Sequence, residues 1–462
     1  MPTTGGAQTP EAMRVFTEVF TAEEFAARRG RVLSEIGDGV AILQGAPDPA
    51  SESAFRQSNQ FFYLTGVEVP RAILVMDGRT RRSTLYLPAQ NRSRGYGPLL
   101  SPGAEAAAVT GLDAVLVRDS FAVQAGALSG RTVHTPHRPE VFSSGSVGDA
   151  RNYAESMRED EWDGRPSRED AFIAKLRAAA AGVVIEDLDP VLDGMRAIKS
   201  PREIEVIREA TRITGLGIIE AMRDAKPGMY EHELDAAAVF VFRRHGAQGD
   251  AYFPLVATGA NMPYSHYHRG TSQLRDGDLI QFDYAPDYHY YVSDVTRVFP
   301  ANGRFTARQR ELYTIYLRLY QSVLESIEPY TTPAAIVRNA VIRMDAVMAS
   351  FVFTDPAIRD AATRFVERYR NSTPRSLGHT IGMEVHDVRL GSDELLPGHV
   401  FTIEPAMNLA DERLGMRLED VVLITETGYE NLSAFVPFEI DDIERLMAEP
   451  GLSDVLSPRG TR

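Results

Sequence analysis

Four acidic residues and one histidine, set on short apolar segments, carry the chemical signal of this sequence. The stretch DGDLIQFDYAPDYHYYVSDVTRVFP (276–300) has two β-rich arms around a turn-forming Ala-Pro-Asp. Folding it about residues 288 and 289 sets Asp283 opposite Asp294, and directly opposed residues have Cβ atoms about 5 Å apart. Carboxylates held that close repel each other unless a proton or a cation lies between them. One of the two facing solvent would be the ordinary explanation, but their shared parity on a hairpin argues against it. A second pair follows. VFTIE (400–404) and MRLEDVVLI (416–424) read as strands, and a hairpin centred near Asp411 places Glu404 opposite Glu419, with Arg417 on the face of Glu419. Between the hairpins, SLGHTIGMEVHD carries His379 and His386 seven residues apart in a glycine-punctuated run.

Each residue alone has an ordinary explanation. A single buried histidine is usually a hydrogen-bonded core residue, and Glu404 before Pro405 could simply end a strand. Taken together, two Asp, two Glu and one His supply enough donors to hold two divalent ions about 3.5–4 Å apart. Four carboxylates also neutralise two such ions. Oxygen-rich ligation with one imidazole suits Mn²⁺, Mg²⁺, Co²⁺ or Zn²⁺ rather than copper. The HExxH pattern of zinc proteases is absent, so a hydrolase here is of another kind.

The elements that must position these residues divide into two regions. In the first, Phe20 to Ile36 has helical spacing, and GVAILQ (39–44), AILVM (72–76), STLYL (83–87) and AVLV (114–117) read as buried strands. That alternation is an α/β domain. Residues 143–170 are polar and nearly free of aliphatics, which reads as a long surface loop or insertion. At the second region's start, Ser200 is a helix N-cap, Pro201 occupies the first helical position and Glu203 falls three residues after the cap. Apolar residues then recur helically from Ile204 to Ala221, and helices over 231–244 and 306–328 alternate with short strands, an α+β pattern. The boundary is expected at residue 188, giving domains 1–188 and 189–462. Residues 200–300 and 310–430 share a weak helix, helix, strand-pair order.

Composition narrows the chemistry further. The chain of 462 residues contains no cysteine, which rules out disulfides, cysteine nucleophiles, iron–sulfur clusters and thiolate zinc sites. A balance of 49 basic against 64 acidic residues, net −15, argues against a nucleic-acid binder. The first twenty residues lack a basic start and apolar core, and no apolar run approaches the roughly 20 residues of a membrane span. The expectation is a cytoplasmic protein with no membrane partner.

At this point the sequence resembles the M24 metallopeptidases, the group of aminopeptidase P, Xaa-Pro dipeptidase (prolidase), methionine aminopeptidase and creatinase. FRQ with SNQFFYLTG (55–66) resembles the amino-terminal domain of aminopeptidase P, and MRAIKSPREIEVIREA (195–210) the opening of the catalytic domain. FDY…SDVTRVFPANGRFT, LGHTIGMEVHD, FTIEPAMN and MRLEDVVLITETGYENLS match the ligand-bearing segments in order and spacing. The resemblance implies an α/β creatinase-like amino-terminal domain followed by an α+β "pita-bread" catalytic domain. It implies Asp283, Asp294, His379, Glu404 and Glu419 as metal ligands, with Asp294 and Glu419 bridging two ions, Mn²⁺ first and Co²⁺ or Zn²⁺ as alternatives. It further implies His266 (in ANMPYSHYH) and His386 near the scissile bond, and Arg417 beside the site. The sequence departs from the group at Arg375, where aminopeptidase P and prolidase carry a histidine four residues before the ligand histidine. Arg375 suits either a substrate carboxylate or the bare surface. A tryptophan that some aminopeptidases P contribute from a neighbouring subunit has no clear counterpart, since the only tryptophan is Trp162 in the polar insertion and Tyr96 is the nearest candidate.

The expected reaction is metal-assisted hydrolysis of an Xaa-Pro bond, releasing the amino-terminal residue, with Glu404 as proton shuttle and His266 and His386 steadying the tetrahedral intermediate. The substrate is a short peptide with proline at its second position, and the resemblance implies a homodimer or homotetramer. Three alternatives remain open: a prolidase cutting only dipeptides, a small-molecule hydrolase or lyase on the same fold, and a metal-free peptide-binding module.

Overall fold

The computed structural model describes residues 19–49, 53–89, 100–389, 391, 393–409, 412 and 414–456. Tyr96 and Asp411 lie outside them. The chain divides into two compact units, Met1–Arg196 and Ala197–Arg462.

The first unit holds a six-stranded sheet. Its strands are β1 (Val40–Gln44), β2 (Ile73–Asp77), β3 (Arg82–Leu87), β4 (Ala114–Val117), β5 (Thr132–Thr135) and β6 (Val184–Asp187), in the order β4-β3-β2-β1-β5-β6. β1, β2 and β3 pair antiparallel, whereas β4, β5 and β6 join parallel. The apolar runs read as strands are therefore strands, and Val40, Ile42, Ile73, Val75, Tyr86 and Val133 form a core with Leu128 and Leu176. The helices are α1 (Ala22–Glu35), α2 (Asn59–Thr65), α3 (Ala104–Thr110), α4 (Phe121–Gly126), α5 (Val147–Glu159), α6 (Arg168–Ala179) and α7 (Asp189–Ala197). Residues 143–170 are thus not a long loop. Ser146 caps α5 by accepting from Asp149 N, and Ala150 is its sole buried residue. Its apolar stripe, Val147, Ala150, Ala154 and Met157, is small, mostly half-buried and set among charged residues.

In the second unit α8 (Pro201–Asp224) starts as its sequence dictates: Ser200 and Glu203 form a reciprocal capping box with Pro201 inside the first turn. α9 (Glu231–Arg244) follows, then six strands: β7 (Gly249–Asp250), β8 (Leu255–Thr258), β9 (Leu279–Asp283), β10 (Pro286–Tyr288), β11 (Tyr291–Val292) and β12 (Thr296–Pro300). α10 (Ala307–Leu324), α11 (Pro333–Ser350) and α12 (Pro356–Arg370) come next, each capped by a Thr or Asp side chain. The chain then forms β13 (Val400–Ile403), β14 (Ala406–Leu409), β15 (Leu414–Arg417), β16 (Asp420–Ile424) and β17 (Tyr429–Asn431), followed by α13 (Ile440–Leu446) and α14 (Leu452–Leu456). No helix among the described residues is long and apolar enough to cross a membrane.

Strand register sets the site, and one register differs from expectation. β9 pairs β12 with Asp283 opposite Thr296, and β10 pairs β11 with Tyr288 opposite Tyr291. The turn is His289-Tyr290, both with positive φ (50° and 71°), not Ala-Pro-Asp, and Pro286 lies within β10. The hairpin is therefore shifted by two residues, so Asp283 and Asp294 are diagonal rather than opposed. A shift of two preserves parity, so both carboxylates keep the same face. The second hairpin has the expected register: Ile403↔Asp420 and Ala406↔Arg417 flank the Glu404/Glu419 position. The strand expected over 416–424 is broken, however, into β15 and β16 at Leu418–Glu419.

Candidate metal centre

Asp283 ends β9 and Asp294 stands between β11 and β12; both are buried. Glu404 follows β13 and Glu419 precedes β16, each at a place where a ladder stops and a side chain is free to turn inward. His379 arrives on an extended segment bridged to β13, with Thr402 N donating to the His379 carbonyl at 2.8 Å. These five side chains converge. His379 Nε2 lies 3.3 Å from Glu404 Oε1, 3.5 Å from Asp294 Oδ2 and 3.6 Å from Glu419 Oε1. Donors at about 2.1 Å from one ion in a tetrahedral arrangement stand about 3.4 Å apart, so these separations suit a shared cation better than direct hydrogen bonds.

Three further side chains complete the setting. The Tyr252 hydroxyl is 2.6 Å from both Asp283 Oδ1 and Asp294 Oδ1, though it has one proton to give. Thr296 Oγ1 donates to Glu419 Oε2 at 2.8 Å. Arg417 pairs with Asp283 Oδ2 and stands 3.7 Å from Glu404 Oε2. Glu419 Oε1, by contrast, is buried with no hydrogen-bond partner among the described residues. A buried carboxylate oxygen left this way is costly unless a cation takes it. Asp294, His379 and Glu419 each place a donor atom within 4.8 Å of the others, and Asp283 and Glu404 adjoin them. The donor set fits divalent metal.

The electrostatics agree. Burial, then the Glu419 and Asp283 charges, push the Asp294 carboxyl well above the usual range. Burial likewise raises Asp283, with Arg417 opposing, and lifts Glu404 to about 7. For Glu419 burial is overcome by the adjacent His379 imidazole and the Arg417 charge, which hold it low. One arginine among four close carboxylates leaves an excess of negative charge that divalent cations would relieve.

The remaining expected residues sit less centrally. His386 is exposed but stacks on His379, with ring centroids 4.0 Å apart at 24°. His266 is exposed on the loop after Met262, and its carbonyl is 2.9 Å from His268 Nδ1. No hydrogen bond or ion pair joins His266 to the carboxylates among the described residues. Arg375 is a surface arginine, 76% exposed and ion-paired with Asp393 at 3.0 Å. Trp162 is 92% exposed. Tyr252 was not foreseen: it lies 31 residues before Asp283 in a segment with no periodic signal, and only folding brings it to the aspartates.

Comparisons with known proteins point the same way. A family model described as metallopeptidase family M24 matches residues 205–426, and one for the aminopeptidase P N-terminal domain matches residues 25–133. The chain is 32% identical over 453 residues to a Xaa-Pro aminopeptidase of Escherichia coli, covering 92% of this chain and 97% of that one. It is 29% identical over 419 residues to human Xaa-Pro aminopeptidase 3, covering 86% and 77%. Among solved structures, E. coli aminopeptidase P with the inhibitor Pro-Leu superposes with a TM-score of 0.74 at 29% identity, covering 92% of this chain and 98% of that one. Proline aminopeptidase P II from Yersinia pestis gives 0.73 at 31% identity, covering 93% and 100%.

Proposed function

The chain belongs to the M24 metallopeptidase family, with the pita-bread catalytic fold, and from that membership we propose that it is a Xaa-Pro aminopeptidase that removes the first residue from peptides with proline second. The convergence of five ligand-type side chains, with Glu419 Oε1 buried and unpartnered among the described residues, supports this reading. Asp283, Asp294, His379, Glu404 and Glu419 would hold two divalent ions, Asp294 and Glu419 between them. Mn²⁺ is the first choice, with Co²⁺ or Zn²⁺ as alternatives; a solved relative is a zinc-substituted aminopeptidase P in complex with product. Such ions, when bound, supply an activated water and a Lewis acid for the scissile carbonyl.

The protein's own groups do the rest. Glu404 has the most accessible side chain of the four carboxylates, 28% exposed against 9% or less for the others, so it alone can exchange a proton with both the attacking water and the departing nitrogen. Unprotonated, proline's nitrogen would have to leave as a strongly basic amide anion, so a proton must be delivered as the C–N bond breaks. His386, beside His379 and open to solvent, would donate to the substrate carbonyl oxygen as negative charge grows on it. His266, on its exposed loop, is assigned the same role. Arg417 pairs with Asp283, orienting its carboxylate and opposing the rise that burial imposes on it. A homodimer or homotetramer in the cytoplasm completes the reading.

The test is direct. Asp294→Ala should lose two-metal occupancy by mass spectrometry and nearly all activity on an Xaa-Pro peptide; full activity would sink the assignment. A prolidase is the nearest rival, and the pairing of Arg375 with Asp393 removes one group that could have read a dipeptide's carboxylate. Faster cleavage of Xaa-Pro-Xaa than of Xaa-Pro separates the two.

A further inference from the structure

The second ligand hairpin is interrupted, and a tyrosine hydroxyl fills the interruption. β13 and β16 pair as far as Ile403↔Asp420, and β14 and β15 resume at Ala406↔Arg417 in the same register. Neither ladder includes Glu404 and Pro405 on one strand or Leu418 and Glu419 on the other. Pro405 has no N–H, so the Pro405/Leu418 pair could make at most one of its two rungs. Here that rung is not direct. The Leu418 N–H donates to Tyr316 Oη at 2.7 Å, and Tyr316 Oη donates to the Pro405 carbonyl at 2.7 Å. One hydroxyl gives its one proton and accepts one, so all three groups are satisfied.

Tyr316 comes from α10 and is fully buried, its ring edge-on to Phe365 (centroids 6.2 Å apart) and stacked with Tyr320. Burial pushes its phenol well above the ordinary range, so the hydroxyl keeps the proton it donates. An ordinary rung brings N and O to about 2.9 Å; an inserted hydroxyl holds the two strands farther apart. Glu404 and Glu419 are the residues adjoining that wedge, one on each strand.

We propose that Tyr316 is a positioning residue whose hydroxyl wedges the hairpin open at Pro405 and Leu418, setting the spacing at which Glu404 and Glu419 meet the metal ions. The inference rests on the two-metal reading above. It is specific to a hydroxyl at this position, because the ring alone would fill the core without holding the strands apart.

The experiment compares Tyr316→Phe with Tyr313→Phe in the full-length protein. Tyr313 lies on the same helix and also donates its hydroxyl, to the Phe438 carbonyl at 2.7 Å, but among the described residues it makes no hydrogen bond to either ligand strand. Both variants keep the ring, but Tyr316→Phe loses two hydrogen bonds and Tyr313→Phe one, so both should fold, with the larger fall in melting temperature for Tyr316→Phe. Only Tyr316→Phe should weaken Mn²⁺ binding, ten- to a hundredfold by chelator competition, as loss of an outer-shell partner typically does. It should also speed amide exchange at Leu418 in the metal-free protein and recover kcat at saturating Mn²⁺. Mn²⁺ affinity within twofold of wild type, or equal losses in the two variants, would overturn the proposal. A wild-type protein that takes up no divalent metal would overturn both this inference and the functional reading; a metal-binding wild type with an unaffected Tyr316→Phe overturns this inference alone.

Discussion

Arg297→Met should destabilise the second unit severely, and the structure gives the size. Arg297 on β12 is 0% exposed and its Nη2 lies 2.7 Å from Asp420 Oδ1, itself on a residue 2% exposed. Nη1 also donates to the carbonyls of Glu419 (2.8 Å) and Thr296 (3.0 Å), so the guanidinium supports the backbone of a proposed metal ligand. Without it, Asp420 keeps only the hydroxyls of Tyr320 (2.6 Å) and Ser433 (2.7 Å) to stabilise a buried charge. Removing one partner of a buried pair costs about 3–5 kcal/mol, because the other charge stays desolvated. For a unit of this size that corresponds to a fall in Tm of roughly 6–20 °C. Far-UV circular dichroism under urea is the suitable assay, since the single tryptophan, Trp162, lies in the other unit and is exposed. Adding Asp420→Asn should restore more than half of the loss, because the amide oxygen can accept from one hydroxyl and the NH2 donate to the other, with no charge to bury. A loss below about 1 kcal/mol for the single variant, the range of an exposed pair, would refute the reasoning.

Two other perturbations follow from the same geometry. Tyr252→Phe removes a hydrogen bond to charged carboxylates, worth about 1.5–3 kcal/mol, and should lower Mn²⁺ affinity about ten- to a hundredfold in a chelator titration; an unchanged affinity would detach Tyr252 from the site. His399 has its imidazole pKa lowered from 6.5 to about 4, first by burial and then by the Lys199 charge. The folded state therefore resists a proton that the unfolded chain accepts, so unfolding free energy should fall as pH drops from 6.5 toward 4. His399→Asn, whose amide oxygen can replace Nδ1 as acceptor for the Leu396 N–H, should flatten that slope in urea titrations at stepped pH, and an unaltered slope would contradict the assignment.

Local patterns made most elements legible. Short apolar runs gave β1 to β4, and Ser200, Pro201 and Glu203 marked the start of α8. The α5 helix is masked by its charged residues, which outnumber a sparse apolar stripe (Val147, Ala150, Ala154 and Met157) of which only Ala150 is buried. The first hairpin was displaced by two residues because Pro286 looks like a turn, whereas His289 and Tyr290 adopt left-handed φ without the Asn-Gly signature of such turns. The site survived that error because side chains alternate with a period of two.

What the sequence by itself determined is the chemical inventory and its order: no thiols, four carboxylates paired by parity on strand-like segments, and one imidazole in a glycine-punctuated run between them. What only the tertiary structure decided is which atoms meet. Tyr252 reaches Asp283 and Asp294, Thr296 reaches Glu419, and Tyr316 reaches across from a helix to hold the Glu404 and Glu419 strands apart. Parity along a strand is a local property of the backbone and can be counted from the sequence. The distance between segments tens of residues apart is set by how buried side chains pack, and no local count contains it.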